Sequence, residues 1–131
     1  MERFEIDTTG REELVDITDR VRSAVQASAV ADGVVLVYCP HTTAAITINE
    51  NADPAVVSDL LHGLRALAPR EARWRHSEGN SDGHLKSSLV GASELVPGSD
   101  GRLVLGTWQA IWLCEFDGPR RRRVFVQPLP R

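Results

Sequence analysis

Apolar residues are distributed along this chain in two patterns, of which strand-like runs are the more frequent. Alternating or unbroken apolar runs rich in β-branched residues are typical of strands. Residues 34–39, VVLVYC, are apolar throughout and are predicted to be buried on both faces of a sheet, whereas residues 123–127 alternate like an edge strand. The predicted strands are 3–8, 34–39, 44–49, 93–96, 103–116 and 123–127.

Apolar side chains at three- and four-residue spacing predict two amphipathic helices. The first covers residues 16–28 and has Asp16 or Thr18 as its N-cap. The second begins at Asp53 and Pro54, where an aspartate cap precedes a proline at the first helical position. A cap followed by such a proline fixes the start of a helix more closely than periodicity alone does.

The order of the elements predicts the fold class. A short third helix is expected over residues 84–90 and a hairpin turn at 99–101. Strands outnumber helices and do not alternate regularly with them, so we expect an α+β fold with a mostly antiparallel sheet or sandwich. A length of 131 residues is typical of a single domain spanning residues 1–131.

Composition excludes several classes of protein. Hydrophobic residues make up 42% and charged residues 25%, which are ordinary globular values. The net charge of -3 argues against a nucleic-acid binder, which needs a basic surface. The charged N-terminus and the lack of a long apolar run predict a cytoplasmic protein without a membrane span. Cys39 and Cys114 lie in apolar runs and are expected to be buried thiols.

Two polar segments, residues 41–54 and 76–84, suggest one functional site built from distant parts of the chain. Residues 76–84 contain two glycines and almost no apolar side chain, so they have little use as core. Together the segments hold three histidines and a set of acids and amides: His41, Asn49, Glu50, Asn51, His76, Glu78, Asn80, Asp82 and His84. Their chemistry suits either a metal site or acid–base catalysis.

The metal alternative depends on His41, His76 and His84, because imidazole is a ligand for zinc and similar divalent ions. The spacing of eight between His76 and His84 is not a known metal motif. General acid–base catalysis by the same histidines is the competing interpretation, since imidazole titrates near neutral pH.

A phosphate site is predicted at the start of the third helix. A helix that begins at His84 would present free backbone amides, the hydroxyls of Ser87 and Ser88, and Lys86, which is the only lysine. The alternative is that Lys86 is an ordinary solvated side chain. The pattern of a nucleotide-binding P-loop is absent from the sequence.

The long strand predicted over residues 103–116 is apolar on both faces, which predicts a sandwich or a subunit contact and therefore an oligomer. Trp108 is expected in the core or in an interface, and Glu115 is either a ligand or base or an edge charge. The four arginines of residues 120–123 predict a solvated turn, or one arginine that binds an anionic substrate or the next subunit.

Three motifs carry a resemblance to a known family: HTTAAITINENADP, EGNSDGHLKSSLVG and DGRLVLGTWQAIWLCEFDGPR. In this order they closely resemble the YjbQ-like family, to which secondary thiamine-phosphate synthase activity is attributed. The resemblance covers nearly the whole chain from about residue 32 onward. It implies an α+β sandwich that forms a homotrimer. The family's site positions match His41, Asn49, Glu50, Asn51, His76, Glu78, Asp82, His84 and Trp108.

The activity that the resemblance implies joins hydroxymethylpyrimidine diphosphate to thiazole phosphate and releases diphosphate. A divalent metal, zinc or magnesium, held by the histidines would stabilise the departing diphosphate together with Lys86 and the amides of Ser87 and Ser88. His41, His76, His84, Glu50 and Asp82 are the expected catalytic residues. Substrate binding is expected from Asn49, Asn51, Glu78, Asn80, Lys86, Ser87, Ser88, Trp108 and Arg120. The rival classes are a metal-dependent hydrolase of a phosphorylated small molecule and a non-enzymatic trimeric ligand-binding protein.

Overall fold

The computed structural model describes residues 1–28 and 31–131, which contain eight strands and three helices. In chain order the elements are β1 (Glu2–Asp7), β2 (Glu13–Asp16), α1 (Thr18–Ser28), β3 (Gly33–Tyr38), β4 (Ala44–Glu50), α2 (Pro54–Leu67), α3 (Ser81–Val90), β5 (Ser93–Ser99), β6 (Arg102–Leu103), β7 (Gln109–Glu115) and β8 (Arg121–Pro130).

Two antiparallel sheets share one main hydrophobic core, which confirms the α+β class. The five-stranded sheet has the order β1-β8-β3-β5-β6, and the three-stranded sheet has the order β2-β7-β4. Strands of both sheets and helix α1 contribute buried aliphatic side chains to this core. In the described ranges, no helix is long and apolar enough to cross a membrane. Burial raises the pKa of Cys39 to about 11 and that of Cys114 to about 12, as expected for buried thiols.

Local sequence signals place several boundaries as predicted. The Asp16 carboxylate accepts hydrogen bonds from the Thr18 amide at 2.9 Å and from its hydroxyl at 2.6 Å. Asp53 accepts from the Ala55 amide at 2.9 Å and is the N-cap of α2. The turn between β5 and β6 has two residues at positive φ, Asp100 at 52° and Gly101 at 74°, as a tight hairpin requires.

Three strand predictions are wrong. The single strand predicted over residues 103–116 is two, because a turn before Gln109 separates β6 from β7 and the Gln109 side chain accepts from the Gly106 amide at 2.8 Å. Strand β8 is not at an edge, since it lies between β1 and β3. Strand β3 is buried on one face only: Val35 and Val37 are buried, whereas Val34 is exposed.

The exposed side of the five-stranded sheet carries a set of apolar residues that we call the outer apolar face. Because side chains alternate along a strand, residues next to buried core positions point to the opposite side. The rings of Tyr38 and Phe125 stack across β3 and β8 with centroids 6.2 Å apart. The outer apolar face consists of Val34, Leu36, Tyr38, Leu95, Phe125 and Leu129.

Helix α3 packs close to the end of β7. Both faces of β7 are covered, because its second face contributes Cys114 to a smaller cluster with side chains of α2 and α3. Gly83 makes this packing possible, since a Cβ at this position would lie 2.9 Å from the carbonyl oxygen of Phe116. Phe116 itself is fully buried in the smaller cluster.

A buried ion pair connects the two sheets. The guanidinium of Arg122 in β8 donates to both carboxylate oxygens of Glu115 in β7, and its Nη2 also donates to the Thr43 hydroxyl at 2.8 Å. Glu115 further accepts from the Thr8 hydroxyl at 2.7 Å and from the Asp117 amide at 3.1 Å. Both oxygens of the carboxylate are therefore paired within the protein. Glu115 was expected to be a ligand or base, or else a charge at a sheet edge, and its pairing favours none of these roles.

A second buried network anchors α3. Lys86 and Asp82 are completely buried and lie one helical turn apart, with Nζ 2.8 Å from Oδ2. The ammonium is also 3.1 Å from Oε2 of Glu12, and Arg11 donates to both oxygens of Asp82 at 3.1 and 3.2 Å. Arg65 of α2 donates to Glu12 at 2.9 Å. The network joins α2 and α3 to the loop between β1 and β2, which contains Arg11 and Glu12.

Replacing Glu115 by Gln is expected to lower the free energy of unfolding by about 3–5 kcal/mol, because Arg122 would stay buried without a counter-charge. Urea denaturation of the variant measures this loss. The matched control is Asp7→Asn at the exposed contact with Arg121, where the unfolding midpoint should stay close to that of the wild type. Equal effects of the two substitutions would contradict the structural role of the buried pair.

The acid dependence of stability is expected to involve Asp82. Burial alone would raise the pKa of its carboxyl group, but hydrogen bonds from Arg11 and Lys86 outweigh burial, so the pKa is lowered. Stability from such a group is present above the unfolded-state pKa of about 3.9 and is lost as the pH falls through the lower folded-state value. Below about pH 4, the free energy of unfolding of Asp82→Asn should therefore vary less with pH than that of the wild type. Denaturant titrations at several pH values measure this pH dependence, with the exposed Asp19→Asn as the control. If the free energy of unfolding of Asp82→Asn varied with pH as steeply as that of the wild type, the role assigned to Asp82 would be refuted.

Candidate functional site

One surface groove brings together residues from both polar segments. His41, Thr42 and Ala44 line one side, between β3 and the first residue of β4, and His84, Ser87 and Ser88 of α3 line the other. Gly91 and Ala92 complete the groove, which has a volume of about 490 Å³. The two histidines are 43 positions apart in sequence, so it is the packing of α3 against β4 that makes them neighbours.

His76 extends the histidine group at the groove. Its ring meets that of His84 edge-on, with the centroids 5.5 Å apart. Its Nε2 lies 3.6 Å from Oε2 of Glu78, whose side chain is mostly exposed. His41 and His84 therefore both line the groove, and His76 contacts His84 from the polar segment that precedes α3.

His41 is hydrogen-bonded to the backbone of β8. Its Nε2 accepts from the amide of Arg123 at 2.8 Å. Burial, followed by the positive charges of Arg122 and Arg123, lowers the pKa of His41 below its ordinary value, against a smaller opposing effect of Glu115. The uncharged imidazole is therefore favoured at neutral pH.

The residues of this chain do not fit a three-histidine metal site. Across residues 1–28 and 31–131, no group of three or more His, Cys, Asp or Glu side chains is placed to hold a metal ion. One nitrogen of His41 is already engaged by Arg123, and His76 and His84 meet ring edge to ring face. A divalent metal held by His41, His76 and His84 remains an expectation from the sequence that this geometry does not support.

The phosphate site predicted at the start of a helix at His84 is corrected by the helix boundary. Because α3 begins at Ser81, the amides of Ser87 and Ser88 lie in the interior of the helix and are not its free N-terminal donors. Ser87 donates its hydroxyl to the Thr42 carbonyl at 2.6 Å, and Lys86 is held by buried carboxylates. This geometry favours structural roles for Lys86 and Ser87 and leaves the Ser88 hydroxyl exposed beside the groove.

Two further predicted site residues lie at the N-terminus of α3 and are buried. Asn80 donates from Nδ2 to Asp117 at 2.8 Å, and its buried Oδ1 has no hydrogen-bond partner among the described residues. Asp82 belongs to the Lys86 network. Arg120 donates to the carbonyl and carboxylate of Asp117 at 2.8 and 3.0 Å, and so it stabilises the turn before β8.

A third group lies at the other end of β4 from the groove. Seven strand residues separate His41 and Thr42 from Asn51, so the two ends of β4 are about 20 Å apart. The side-chain amide of Asn51 donates to the Asp16 carboxylate at 2.9 Å, and the backbone amide of Asn51 donates to the backbone carbonyl of Trp108. The Trp108 side chain is exposed. The members of this group are Asn49, Glu50, Asn51 and Trp108.

Sequence reasoning missed the role of Arg122 and Arg123 beside His41. Side-chain alternation in β8 contained the signal, since Val124 and Val126 are buried and Arg122 has the same parity. A run of four arginines suggests solvent exposure, so the burial of Arg122 was not predicted. The contact between Thr43 and Arg122 could not be predicted either, because the two residues are 79 positions apart in the sequence.

Comparison with known proteins gives a consistent result. A family profile described as UPF0047 protein YjbQ-like matches residues 2–131. A UPF0047 protein of Methanocaldococcus jannaschii is 54% identical over 125 residues, covering 95% of this chain and 91% of the relative. The UPF0047 protein YugU of Bacillus subtilis is 50% identical over 128 residues, covering 97% of each.

Solved structures agree with these matches. An uncharacterised YjbQ/UPF0047 protein of Clostridium acetobutylicum superposes with a TM-score of 0.96 at 47% identity, covering 98% of this chain and 100% of the other. A protein of unknown function from Sulfolobus solfataricus gives 0.95 at 35% identity, with 99% and 96% covered. Sequence and fold agree over almost the full length, and the chain therefore belongs to the UPF0047 YjbQ-like family.

Proposed function

We propose that the groove between β4 and α3 binds a phosphorylated small molecule. The observation that carries the proposal is that His41 and His84, from separate parts of the chain, line one groove together with the Ser88 hydroxyl. Imidazole N–H groups and hydroxyls donate hydrogen bonds that suit phosphate oxygens.

The reaction we propose is the synthase activity that the family resemblance implies. The thiazole nitrogen attacks the methylene carbon of hydroxymethylpyrimidine diphosphate, and a C–N bond forms. The C–O bond to the diphosphate breaks, and its electron pair leaves with the diphosphate oxygen. The chain's task is to bind both reactants and donate hydrogen bonds to the leaving oxygens, so catalysis would come from positioning and charge stabilisation.

A second candidate is hydrolysis of a phosphorylated small molecule, with water in place of the thiazole. The half-exposed His76, in contact with His84 and 3.6 Å from Glu78, favours it, because such a pair could accept a proton from water. A non-enzymatic ligand-binding role would leave the bound molecule unchanged. Product analysis with the two synthase substrates and with each one alone separates the three functions.

We propose in addition that the two sheets pack as a sandwich and that the chain forms a homotrimer in the cytoplasm. The outer apolar face is the surface we assign to the subunit contact, since a monomer rarely exposes so many apolar side chains together. Leu95 is 60% exposed and Tyr38 is 41% exposed on this face. Because His41 bonds to β8, which contributes to the outer apolar face, the groove would lie close to a subunit boundary.

Replacing His84 by Ala is expected to weaken the binding of inorganic diphosphate at least about tenfold, or about 1.4 kcal/mol, because the groove loses a hydrogen-bond donor. Isothermal titration calorimetry measures the dissociation constant. His62→Ala is the matched control, since His62 is exposed on α2 and outside the groove lining. Equal binding by both variants and the wild type would refute the proposed site.

Replacing Leu95 by Glu is expected to dissociate the proposed trimer, because the charge would be buried in the subunit contact. Sedimentation analysis measures the mass. Leu67→Glu is the control: Leu67 is 71% exposed on α2, away from the outer apolar face, and the variant should keep the wild-type mass. A wild-type protein that sediments as a monomer would exclude the assembly outright.

A further inference from the structure

We infer that His41 is a fixed, neutral hydrogen-bond donor to the ligand in the groove, acting through Nδ1–H, and is neither the general base nor a metal ligand. The inference deepens the proposed function and rests on it for the identity of the ligand. Its basis is the position of the His41 ring at the end of the β3–β8 ladder.

The backbone hydrogen-bond ladder between β3 and β8 ends just before His41. Its last pair is Tyr38 with Phe125, so continued pairing would place Pro40 opposite Arg123. The chain leaves the sheet at this point, and the Arg123 amide would have no carbonyl partner from β3. Nε2 of His41 accepts from that amide at 2.8 Å and so substitutes for the missing backbone acceptor.

This bond determines where the imidazole proton lies. A nitrogen that accepts an N–H cannot carry its own proton, so the neutral ring has its hydrogen on Nδ1. Protonation of Nε2 would direct two N–H groups at each other. Charges around the ring act in the same sense, since Arg122 and Arg123 disfavour the imidazolium and only Glu115 favours it.

The remaining nitrogen is available to a ligand. Nδ1 has no hydrogen-bond partner in the parts of the chain that the structure describes, and it is not among the buried unpaired side-chain atoms. The His41 side chain lines the groove together with His84 and Ser88. A ligand there would therefore meet a donor that keeps its proton across neutral pH, which selects an acceptor such as a phosphate oxygen over a group that must be deprotonated.

Two substitutions separate the nitrogens of His41. In His41→Asn the side-chain amide can donate from near the Nδ1 position, whereas in His41→Gln the longer side chain can accept from the Arg123 amide near the Nε2 position but has lost the donor. With inorganic diphosphate as the probe in titration calorimetry, Asn should bind within about threefold of the wild type and Gln at least about tenfold more weakly. Loss of binding in both variants, or retention in Gln alone, would overturn the donor role.

Nitrogen-15 NMR of the wild-type protein tests the tautomer independently of any ligand. The expected spectrum shows a protonated Nδ1 and an unprotonated Nε2 at neutral pH. An Nε2–H tautomer, or an imidazolium at neutral pH, would overturn the inference. If the wild type fails to bind diphosphate, the proposed function fails, while the NMR result still decides the state of His41. Spectra of both variants report whether each is folded.

Discussion

The ion pair between Glu115 and Arg122 is the contact on which the arrangement of the two sheets depends. It joins β7 of one sheet to β8 of the other inside the protein, where an unpaired charge would be very unfavourable. Arg122 also binds the Thr43 hydroxyl at the start of β4, and Glu115 binds Thr8 after β1. Four separate parts of the chain are therefore positioned by one carboxylate and one guanidinium. Because Arg123 follows Arg122 directly, the same contact places the amide that binds His41.

The opposite wall of the groove depends on a second set of buried charges. Asp82 receives hydrogen bonds from Arg11 and Lys86, and Glu12 lies between Lys86 and Arg65. Each carboxylate thus has basic partners on more than one element, which fixes the rotation of α3 about its axis. His84 and Ser88 lie on this helix, so their positions are set by charged side chains outside the groove lining. The two walls of the groove are therefore held by separate sets of buried contacts.

The sequence predicts the features of this protein that depend on neighbouring residues. The Asp53 cap, the hydrogen bonds from Thr18 to Asp16 before α1, the turn at Asp100 and most strands follow from local physical chemistry. Features that depend on distant partners could not be found in this way. Lys86 suggests a solvent-exposed or phosphate-binding side chain until Glu12, 74 positions earlier, is seen beside it.

The site was only partly predictable for the same reason. Two polar segments with histidines indicate a shared site, and His41 and His84 do line one groove. Whether Asn51 and Trp108 belong to that site depends on which end of β4 they occupy, and a residue list cannot show this. Strand β8 follows all the other described strands in the chain but lies between β1 and β3, so the five-stranded sheet cannot assemble during translation until β8 has been synthesised. Until that moment β1 has no partner, and the nascent chain would have to hold its apolar strands in solution or on a chaperone.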